Sequence, residues 1–353
     1  MEKYYLLPCT FHYSKEAEDN IKNGNALPLA GGKISFSNCK IISNHSVNNN
    51  IFIGATKPET WNNSNINKSS VETLINKLSM KPNNFMGLNK NSFHIIGVVN
   101  ISPDSFSSVN KKIVAKEAIE KSIQLYQEGA SIIDIGGEST RPGAIRIDPE
   151  EEQRRIIPVI KELSKQKILV SCDTRNTSTM GKAIDAGARI INDISALSDK
   201  NSAQIIHKNG AGVILMHMKG NPSNMQNSPQ YENVLYEILT FLENRKNYAN
   251  SIGISNEKIL VDPGIGFGKT DEHNIKIFKN LSMLHNLHCN ITIGASRKSL
   301  IGRVTKTPNQ EERLPGSLSL ALVAMMQGVQ FFRVHDVKET IQALNIWKKL
   351  YNE

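Results

Sequence analysis

Short apolar runs rich in Ile and Val recur from residue 94 onward, and each is followed by a segment in which apolar residues have helical spacing. We predict eight strands, at residues 94–100, 131–138, 168–174, 189–195, 212–219, 258–264, 291–298 and 331–336. We predict that helices follow them at residues 114–128, 149–164, 177–186, 202–208, 231–249, 271–283, 317–327 and 338–350. A strand and a helix repeated in this way predict an α/β protein, a closed parallel (β/α)8 TIM barrel.

Local signals at several helix ends support the pattern. Asp148 precedes Pro149 and a run of acidic residues, which is typical of an N-cap followed by a first turn that complements the helix dipole. Gly129 and Gly187 lie where two of the helices must stop before the next strand begins.

Residues 1–90 have a different pattern, with many Asn residues and apolar runs too short and irregular to extend the repeat. Within them, residues 33–42 and 50–54 have the character of strands, and residues 70–79 that of a helix. We therefore divide the chain into a small N-terminal extension of unknown function and a barrel that spans residues 91–353.

The composition favours a globular protein that neither spans a membrane nor binds nucleic acid. Hydrophobic residues make up 39% of the chain and charged residues 21%, and no apolar run approaches the ~18 residues of a membrane helix. The net charge of +9 is not concentrated in a block or stripe of Lys and Arg, as nucleic-acid binding would favour.

The cysteines and the N-terminus indicate the cellular compartment. The four cysteines show no CxxC spacing, which argues against a structural zinc site and against a disulfide framework. The first residues lack the basic and long apolar regions of a signal peptide. We therefore expect a cytoplasmic protein.

Polar residues stand at the ends of all eight predicted strands. They are Asn100, Asp134, Glu138, Asp173, Asn192, Asp193, His217, Asp262, Ser296, Arg297, Lys298, Arg333, His335 and Asp336. The carboxyl ends of barrel strands meet at one mouth, where barrel enzymes have their active sites. Polar groups at the end of a packed core are costly unless they bind something. Some of them are expected only to cap helices, but as a set they predict a ligand site.

The glycine-rich segment 262–270 suggests nucleotide binding, but its spacing excludes the two common motifs. A P-loop requires Gly five residues before Gly268, where the sequence has Pro263. The glycines at 264, 266 and 268 also miss the GxGxxG spacing of dinucleotide-binding folds.

Eight ordered motifs at these strand ends resemble those of the dihydropteroate synthases. They are SPDSFS (102–107), IGGESTRPG (135–143), CDT (172–174), NDI (192–194), LMHMKG (215–220), DPGIGFGK (262–269), SRKS (296–299) and RVHD (333–336). The resemblance implies an enzyme of folate biosynthesis that condenses 6-hydroxymethyl-7,8-dihydropterin diphosphate with p-aminobenzoate. The products would be 7,8-dihydropteroate and diphosphate.

The resemblance also implies a set of substrate-binding residues. They are Thr140, Asp173, Asn192, Met216, Asp262, Phe267, Gly294, Lys298, Ser299, Arg333 and His335. A carboxylate can accept two parallel hydrogen bonds from the guanidine-like edge of a pterin, and Asp262 is expected in that role. Lys298 would donate to the carbonyl side of the ring, and Arg333 would stack on the ring while facing an anion.

Other members of the set would surround the ring and the second substrate. Asn192 and Asp173 would complete the polar rim, while Met216 and Phe267 would cover the ring unless they are ordinary core residues. Thr140 and Ser299 would lie near p-aminobenzoate.

The implied catalytic residues are Asp104, Arg141, Lys298, Arg333 and His335. Positive charge from Arg141, Arg333 and His335 would stabilise the departing diphosphate, and Asn100 would help to hold a Mg²⁺ ion on its oxygens. Asp104 would stabilise the positive charge that develops on the pterin methylene carbon.

One segment departs from the family pattern. Dihydropteroate synthases usually continue the first loop as Ser-Asp-Gly-Gly, whereas this chain has Ser107, Ser108, Val109 and Asn110. The loss of two glycines is expected to alter how the loop folds over the site.

Two alternatives remain open, along with the oligomeric state. The barrel is alternatively a pterin-binding, corrinoid-dependent methyltransferase domain, or an inactive barrel kept as a binding module. Residues 314–329 are apolar nearly all round, which favours either a homodimer or burial under the N-terminal extension.

Overall fold

A computed structural model describes residues 3–44, 47–64, 67–89, 91–101, 111–138 and 146–351 of the chain. Its central feature is a closed barrel of eight parallel strands. The strands are β5 (His94–Asn100), β6 (Ile132–Gly136), β7 (Val170–Asp173), β8 (Ile190–Asp193), β9 (Gly212–Met216), β10 (Ile259–Asp262), β11 (Asn290–Ile293) and β12 (Phe331–Val334). They follow one another around the barrel in chain order, and β12 pairs with β5. The predicted (β/α)8 barrel is confirmed.

Helices alternate with the strands outside the barrel. They are α3 (Lys111–Gln127), α4 (Pro149–Lys165), α5 (Thr177–Asp185), α6 (Lys200–Lys208), α7 (Val234–Ile252), α8 (Asp271–Phe278), α9 (Ser299–Thr305), α10 (Leu314–Met325) and α11 (Val337–Tyr351). Two findings differ from the sequence prediction. The segment 271–283 is not one helix, because α8 ends at Phe278 and a buried 3-10 helix, Leu281–Leu287, follows it. The short helix α9 was not predicted.

The expected helix ends are present. The side chain of Asp148 caps α4 by accepting a hydrogen bond from the backbone N–H of Glu150 at 2.8 Å. Gly187 follows α5 with a φ of +111°, and a Cβ at this position would lie 2.0 Å from Oγ of Ser164. Only glycine fits there, because both the backbone angle and the close approach exclude a side chain.

The N-terminal region forms an antiparallel sheet of four strands, in which β3 pairs with each of the other three. Its elements are β1 (Tyr5–His12), α1 (Ser14–Lys22), β2 (Leu27–Pro28), β3 (Ser35–Ile42), β4 (Val47–Gly54) and α2 (Lys68–Ser79). The two predicted strands and the predicted helix correspond to β3, β4 and α2. The sequence did not reveal β1, because its first four residues are all buried and show no period-2 alternation.

This sheet is bound to the barrel through side chains that satisfy the backbone of β1. Asn286 in the 3-10 helix accepts from the N–H of Leu6 at 3.1 Å and donates to its carbonyl at 2.6 Å. Ser282 donates to the carbonyl of Pro8 at 3.1 Å, and the hydroxyl of Tyr5 donates to Glu243 in α7 at 2.9 Å. The edge of β1 is therefore paired with the barrel rather than left open.

A segment before β5 closes the amino end of the barrel. Phe85 is fully buried, and its ring lies edge-on to that of Phe331 at a centroid distance of 5.5 Å. It packs in one cluster with the inward-facing Ile96, Ile132 and Ile190. The amino end of the barrel is therefore filled, and the carboxyl end is left for a site.

Among the described residues, no helix combines the length and the apolar character that crossing a membrane requires.

Candidate active site at the carboxyl ends of the strands

Arg333 on β12 joins two buried carboxylates, one from β6 and one from β7. Its Nε donates to Oδ2 of Asp134 at 2.7 Å, and its Nη2 donates to Oδ2 of Asp173 at 2.7 Å. Asn192 on β8 also donates to Oδ2 of Asp134, at 3.1 Å. The rigid fork of the guanidinium thus holds residues from β6, β7, β8 and β12 in one network.

The network has unused acceptor capacity. Oδ1 of Asp134 and Oδ1 of Asp173 are buried and have no hydrogen-bond partner among the described residues. Burial raises the pKa of Asp173, and the charge of Arg333 opposes this shift. Buried carboxylate oxygens are rarely left without a donor, so the arrangement favours a ligand or water that brings N–H or O–H groups.

Asp262 ends β10 and is buried beside this network. Its Oδ1 accepts a hydrogen bond from the backbone N–H of Gly264 at 2.6 Å. Burial raises the pKa of Asp262, while the positive charge of Lys298 opposes that shift. A Cβ on Gly294 would lie 3.8 Å from Oδ2 of Asp262 and from the side chain of Arg333. The missing side chain at Gly294 therefore leaves space between a carboxylate and a guanidinium.

Lys298 lies against the same carboxylate and over an aromatic ring. Its ammonium donates to the carbonyl of Ile265 and lies 4.4 Å from the ring centroid of Phe267. Burial lowers the pKa of Lys298 to about 8, although the charge of Asp262 opposes this. Met216 is paired in register with Asp262, so the two lie side by side on β9 and β10. A carboxylate, an ammonium and apolar cover thus meet in one place.

His335, Ser296 and Ser299 lie at the ends of β11 and β12. Nδ1 of His335 lies 3.1 Å from Oγ of Ser296, which also accepts from the backbone N–H of His335 at 3.3 Å. The structure therefore ties the loops after these two strands together. Ser299 is exposed and begins α9, directly after Lys298.

Asn100 ends β5 and faces the same mouth. Its Oδ1 lies 3.1 Å from the position that a Cβ on Gly136 would occupy, and the Cβ of Asp173 lies 3.5 Å from the same position. Across the described part of the chain, no three His, Cys, Asp or Glu side chains are grouped closely enough to hold a metal ion. A protein-only metal cage is therefore absent from those residues.

Three predicted site residues lie outside the described residues. They are Asp104, Thr140 and Arg141, and the altered segment 108–110 lies outside them as well. Their roles stay predictions from the sequence.

Two residues that the sequence interpretation did not assign hold the site together. Asp134 was noted only as a strand-end residue, yet it bonds to both Arg333 and Asn192. Lys269 is buried and bonds to Nδ1 of His217 at 2.9 Å and to the carbonyls of Gly264 at 2.9 Å and Phe267 at 3.0 Å. Burial lowers the pKa of Lys269 well below its usual range.

The loop that Lys269 holds is the one that carries Phe267 toward Lys298. Gly264 in this loop has a φ of +69°, and a Cβ there would lie 1.9 Å from the carbonyl oxygen of His217. The glycine-rich segment is therefore explained by a tight loop around the buried amine of Lys269. In the sequence, the signal for this role of Lys269 was its position at the end of the glycine-rich segment.

Comparison with known proteins shows the family to which the chain belongs. The sequence profile of the family described as "Pterin binding enzyme" matches residues 96–335. The dihydropteroate synthase of Escherichia coli strain K12 is 39% identical over 254 residues, which cover 72% of this chain and 90% of that protein. That of Neisseria meningitidis serogroup B is 42% identical over 266 residues, covering 72% and 92%.

Solved structures give the same result. Dihydropteroate synthase from Yersinia pestis, in a sulfonamide drug complex, superposes with a TM-score of 0.70 at 38% identity, covering 73% of this chain and 94% of that one. The enzyme from Xanthomonas albilineans in complex with 7,8-dihydropteroate has a TM-score of 0.68 at 35% identity, covering 74% and 95%. These relatives support the first interpretation of the sequence and not the methyltransferase alternative. The chain belongs to the pterin binding enzyme family, among the dihydropteroate synthases.

Proposed function

We propose that this chain condenses 6-hydroxymethyl-7,8-dihydropterin diphosphate with p-aminobenzoate to form 7,8-dihydropteroate and diphosphate at the carboxyl ends of β5–β12. The observation that carries the proposal is the meeting of Asp262, Lys298 and Phe267 next to Arg333. Asp262 supplies a hydrogen-bond acceptor, Lys298 a donor and Phe267 an apolar cover for a flat ring. Arg333 beside them supplies a positive charge for an anion. The structures of relatives in complex with 7,8-dihydropteroate and with 4-aminobenzoic acid support the choice of substrates.

The pterin ring would bind with its guanidine-like edge on Asp262, which can accept two parallel hydrogen bonds. The free oxygens of Asp173 and Asp134 can accept further N–H groups, and Asn192 lies beside them. Lys298 would donate to the ring carbonyl. The space at Gly294 would admit the ring, with Met216 and Phe267 as its apolar cover.

The diphosphate would lie toward Arg333, His335 and Arg141. Arg333 uses Nε and Nη2 on its two carboxylates, and among the described residues Nη1 has no acceptor, so it would be available to an anion. Mg²⁺ prefers oxygen ligands and keeps much of its water, so a single amide oxygen from Asn100 together with diphosphate oxygens suits it. A Mg²⁺ ion held there would neutralise charge on the diphosphate.

The reaction breaks the bond between the pterin methylene carbon and the diphosphate oxygen, which leaves with the electron pair. The amine of p-aminobenzoate supplies the pair for the new C–N bond and loses a proton. Arg333 and Arg141 would stabilise the leaving charge, while Asp104 would stabilise the cationic carbon. Thr140 and Ser299 would hold p-aminobenzoate. No covalent intermediate with the protein is required.

The test is an assay of diphosphate release with the pterin diphosphate ester, p-aminobenzoate and Mg²⁺. We expect turnover by the wild type and a loss of about 100-fold in kcat/KM for Asp262→Asn and for Lys298→Ala, since each loses a charge-assisted contact. Asp271→Asn is the matched control, because that carboxylate is partly exposed and pairs with Arg303 outside the site. Full activity in both site variants would contradict the assignment of the site. An inactive wild type would contradict the proposed function.

The proposal includes a cytoplasmic homodimer. The four cysteines are free, which suits a reducing compartment. The N-terminal extension contacts the carboxyl end of α10, where the hydroxyl of Tyr13 donates to the carbonyl of Met326 at 3.1 Å. Val323 and Met326 remain 38% exposed, which leaves apolar surface for a second copy. A monomer observed by sedimentation at micromolar concentration would contradict the proposed homodimer.

A further inference from the structure

The segment at residues 217–233 connects β9 to α7 and lies between the N-terminal extension and the candidate active site. Most of residues 219–230 are exposed, and only Pro222 and Met225 among them are buried. A connection of this length is uncommon in a compact domain unless it has a function. Because the segment buries so little surface of its own, its position depends on polar contacts with its neighbours.

On the side of the candidate site, the segment meets the glycine-rich loop. The five consecutive backbone carbonyls of residues 264–268 each accept a hydrogen bond from a side chain. Lys269 donates to the first at 2.9 Å and to the fourth at 3.0 Å, and Lys298 donates to the second. The loop has no regular secondary structure, so these side chains replace the hydrogen bonds that a helix or a strand would supply.

The other two donors belong to segment 217–233. Nε2 of Gln226 donates to the carbonyl of Gly266 at 2.7 Å, and the hydroxyl of Tyr231 donates to that of Gly268 at 2.7 Å. Gly268 has a φ of +62°, and a Cβ there would lie 2.2 Å from a backbone oxygen of the segment. The two backbones therefore touch, and the position of the segment fixes that of the loop.

Asn233 joins the other end of the segment to the N-terminal extension. It is 3% exposed, and its Nδ2 donates to the carbonyl of Ser43, directly after β3, at 2.9 Å. Its Oδ1 accepts from the backbone N–H groups of Leu235 and Tyr236, so the same side chain caps α7. The ring of Tyr236 in turn lies 5.7 Å from that of Tyr5 in β1. A buried amide that uses both its donor and its acceptor holds the two regions in one relative position.

We propose that the N-terminal extension positions the glycine-rich loop of the site through segment 217–233, and that Asn233 is the positioning residue of this link. The first contact runs from the extension to Asn233, and the second from the segment to the loop carbonyls. The loop carries Phe267, whose ring centroid lies 4.4 Å from the ammonium of Lys298. A loop that is ordered before a ligand arrives loses less conformational freedom on binding, so pterin affinity depends on the link. This kinetic consequence rests on the proposed function, whereas the ordering of the loop does not.

Amide hydrogen exchange of the full chain, followed by mass spectrometry, tests the link without any substrate. Asn233→Ser keeps a side-chain cap on α7, because Ser is a preferred N-cap residue, but it removes the donor to Ser43. We expect exchange in residues 264–268 to become about three- to tenfold faster, since one hydrogen bond of the link is lost. Unchanged exchange in these residues overturns the proposal.

Two further variants accompany this measurement. Asn233→Asp also caps α7 and also lacks the donor, so it should behave as Asn233→Ser does, and it replaces that variant if the latter does not fold. Asn67→Ser is the matched control, because it makes the same substitution at the N-cap of α2 and should leave residues 264–268 unchanged. Equal acceleration in the control would show a general loosening of the protein and overturns the proposal.

The KM for the pterin diphosphate, with kcat measured beside it, reports the effect on the site. We expect Asn233→Ser and the exposed Gln226→Ala each to raise this KM by about three- to tenfold and to change kcat by less than about twofold. The double variant should raise KM by less than the product of the two single effects, because both changes act on one link. A full product of the single effects, or a fall in kcat alone, overturns the proposal. An inactive wild type contradicts the proposed function, and the exchange result then decides the link by itself.

Discussion

The pKa values of Lys298 and Asp262 both shift toward the neutral forms, since burial outweighs their mutual attraction. At Arg333 the balance is reversed. Burial opposes its charge, but the carboxylates of Asp134 and Asp173 outweigh this and raise its pKa. A buried group thus keeps its charge only when it has enough opposite charge in contact. The site therefore contains one permanent cation and one cation that titrates near neutral pH.

The pH dependence of activity should report Lys298. Its pKa of about 8 means that the protonated, donating form is present below that pH and is lost as the pH rises through it. We expect kcat/KM of the wild type to fall above pH 8. In Lys298→Arg the side chain stays charged, so this fall should disappear from the normalised profile. The same descending limb in both proteins would show that another group titrates.

Removal of Arg333 should destabilise the protein strongly. Asp134 is fully buried and Asp173 is 6% exposed, so Arg333→Ala leaves two buried carboxylates without their cation. The expected loss in free energy of unfolding is about 3–5 kcal/mol, measured by urea denaturation at pH 7. Arg303→Ala is the control, because this more exposed Arg pairs with Asp271 and should cost under about 1 kcal/mol. Similar losses for both variants would contradict the buried network.

At the scale of elements, the position of β1 depends on the 3-10 helix Leu281–Leu287. That segment continues the chain after α8, but its residues are all buried beneath the N-terminal sheet. Asn286 donates to the carbonyls of Leu6 and Met283, each at 2.6 Å, and so joins two elements that are far apart in the chain. The side chain of Asn286 therefore satisfies both backbone groups of Leu6, as a neighbouring strand would in a sheet.

Asn286→Ala should release β1 locally. The N–H and carbonyl of Leu6 would lose their partner in a buried place, which costs about 1–3 kcal/mol. We expect faster amide hydrogen exchange in β1, with the barrel strands unchanged. Asn250→Ala is the control, since that side chain is exposed and its hydrogen bond within the described residues goes to the nearby Asn256. Unchanged exchange in β1 would mean that other contacts hold it.

On the scale of the whole molecule, the two ends of the barrel differ in the kind of residue that they contain. The amino end is filled by Phe85 and a cluster of Ile residues, whereas the carboxyl end carries the ionisable groups. The N-terminal sheet packs against the side of the barrel, and the turn at residues 29–34 between β2 and β3 forms one wall of a cavity beside the amino end. The ionisable groups of the candidate site are thus gathered at one end of the barrel axis and apolar packing closes the other, as in other barrels of this type.

Phe85→Ala should test the closure of the amino end. The change leaves a cavity under Phe331 and should lower the free energy of unfolding by about 3–5 kcal/mol, measured by urea denaturation. Met80→Ala, at a side chain that is 56% exposed, should change it by under about 0.5 kcal/mol. Because Phe85 is remote from the mouth, KM values should stay near those of the wild type. Equal stabilities of the two variants would show that Phe85 does not fill the barrel.

Much of the barrel and of the candidate site was predictable from the sequence. The repeat of apolar strands and helices is a local signal, and the polar residue after each strand marks the mouth once a barrel is assumed. The motifs around Asp262 and Lys298 led to the family. The strand β1 was not predictable, because burial on both faces removes the alternation by which a strand is recognised.

The sequence by itself thus determined the barrel, the mouth residues and the family, because hydrophobic period and motif order are properties of neighbouring residues. Only the tertiary structure decided that Arg333 bonds to Asp134, 199 positions away, and to Asp173, 160 positions away. It also decided that Lys269 holds a loop and that the extension forms one wall of a cavity. These features depend on which distant groups share a buried space, since burial sets both the cost of a charge and the need for a partner.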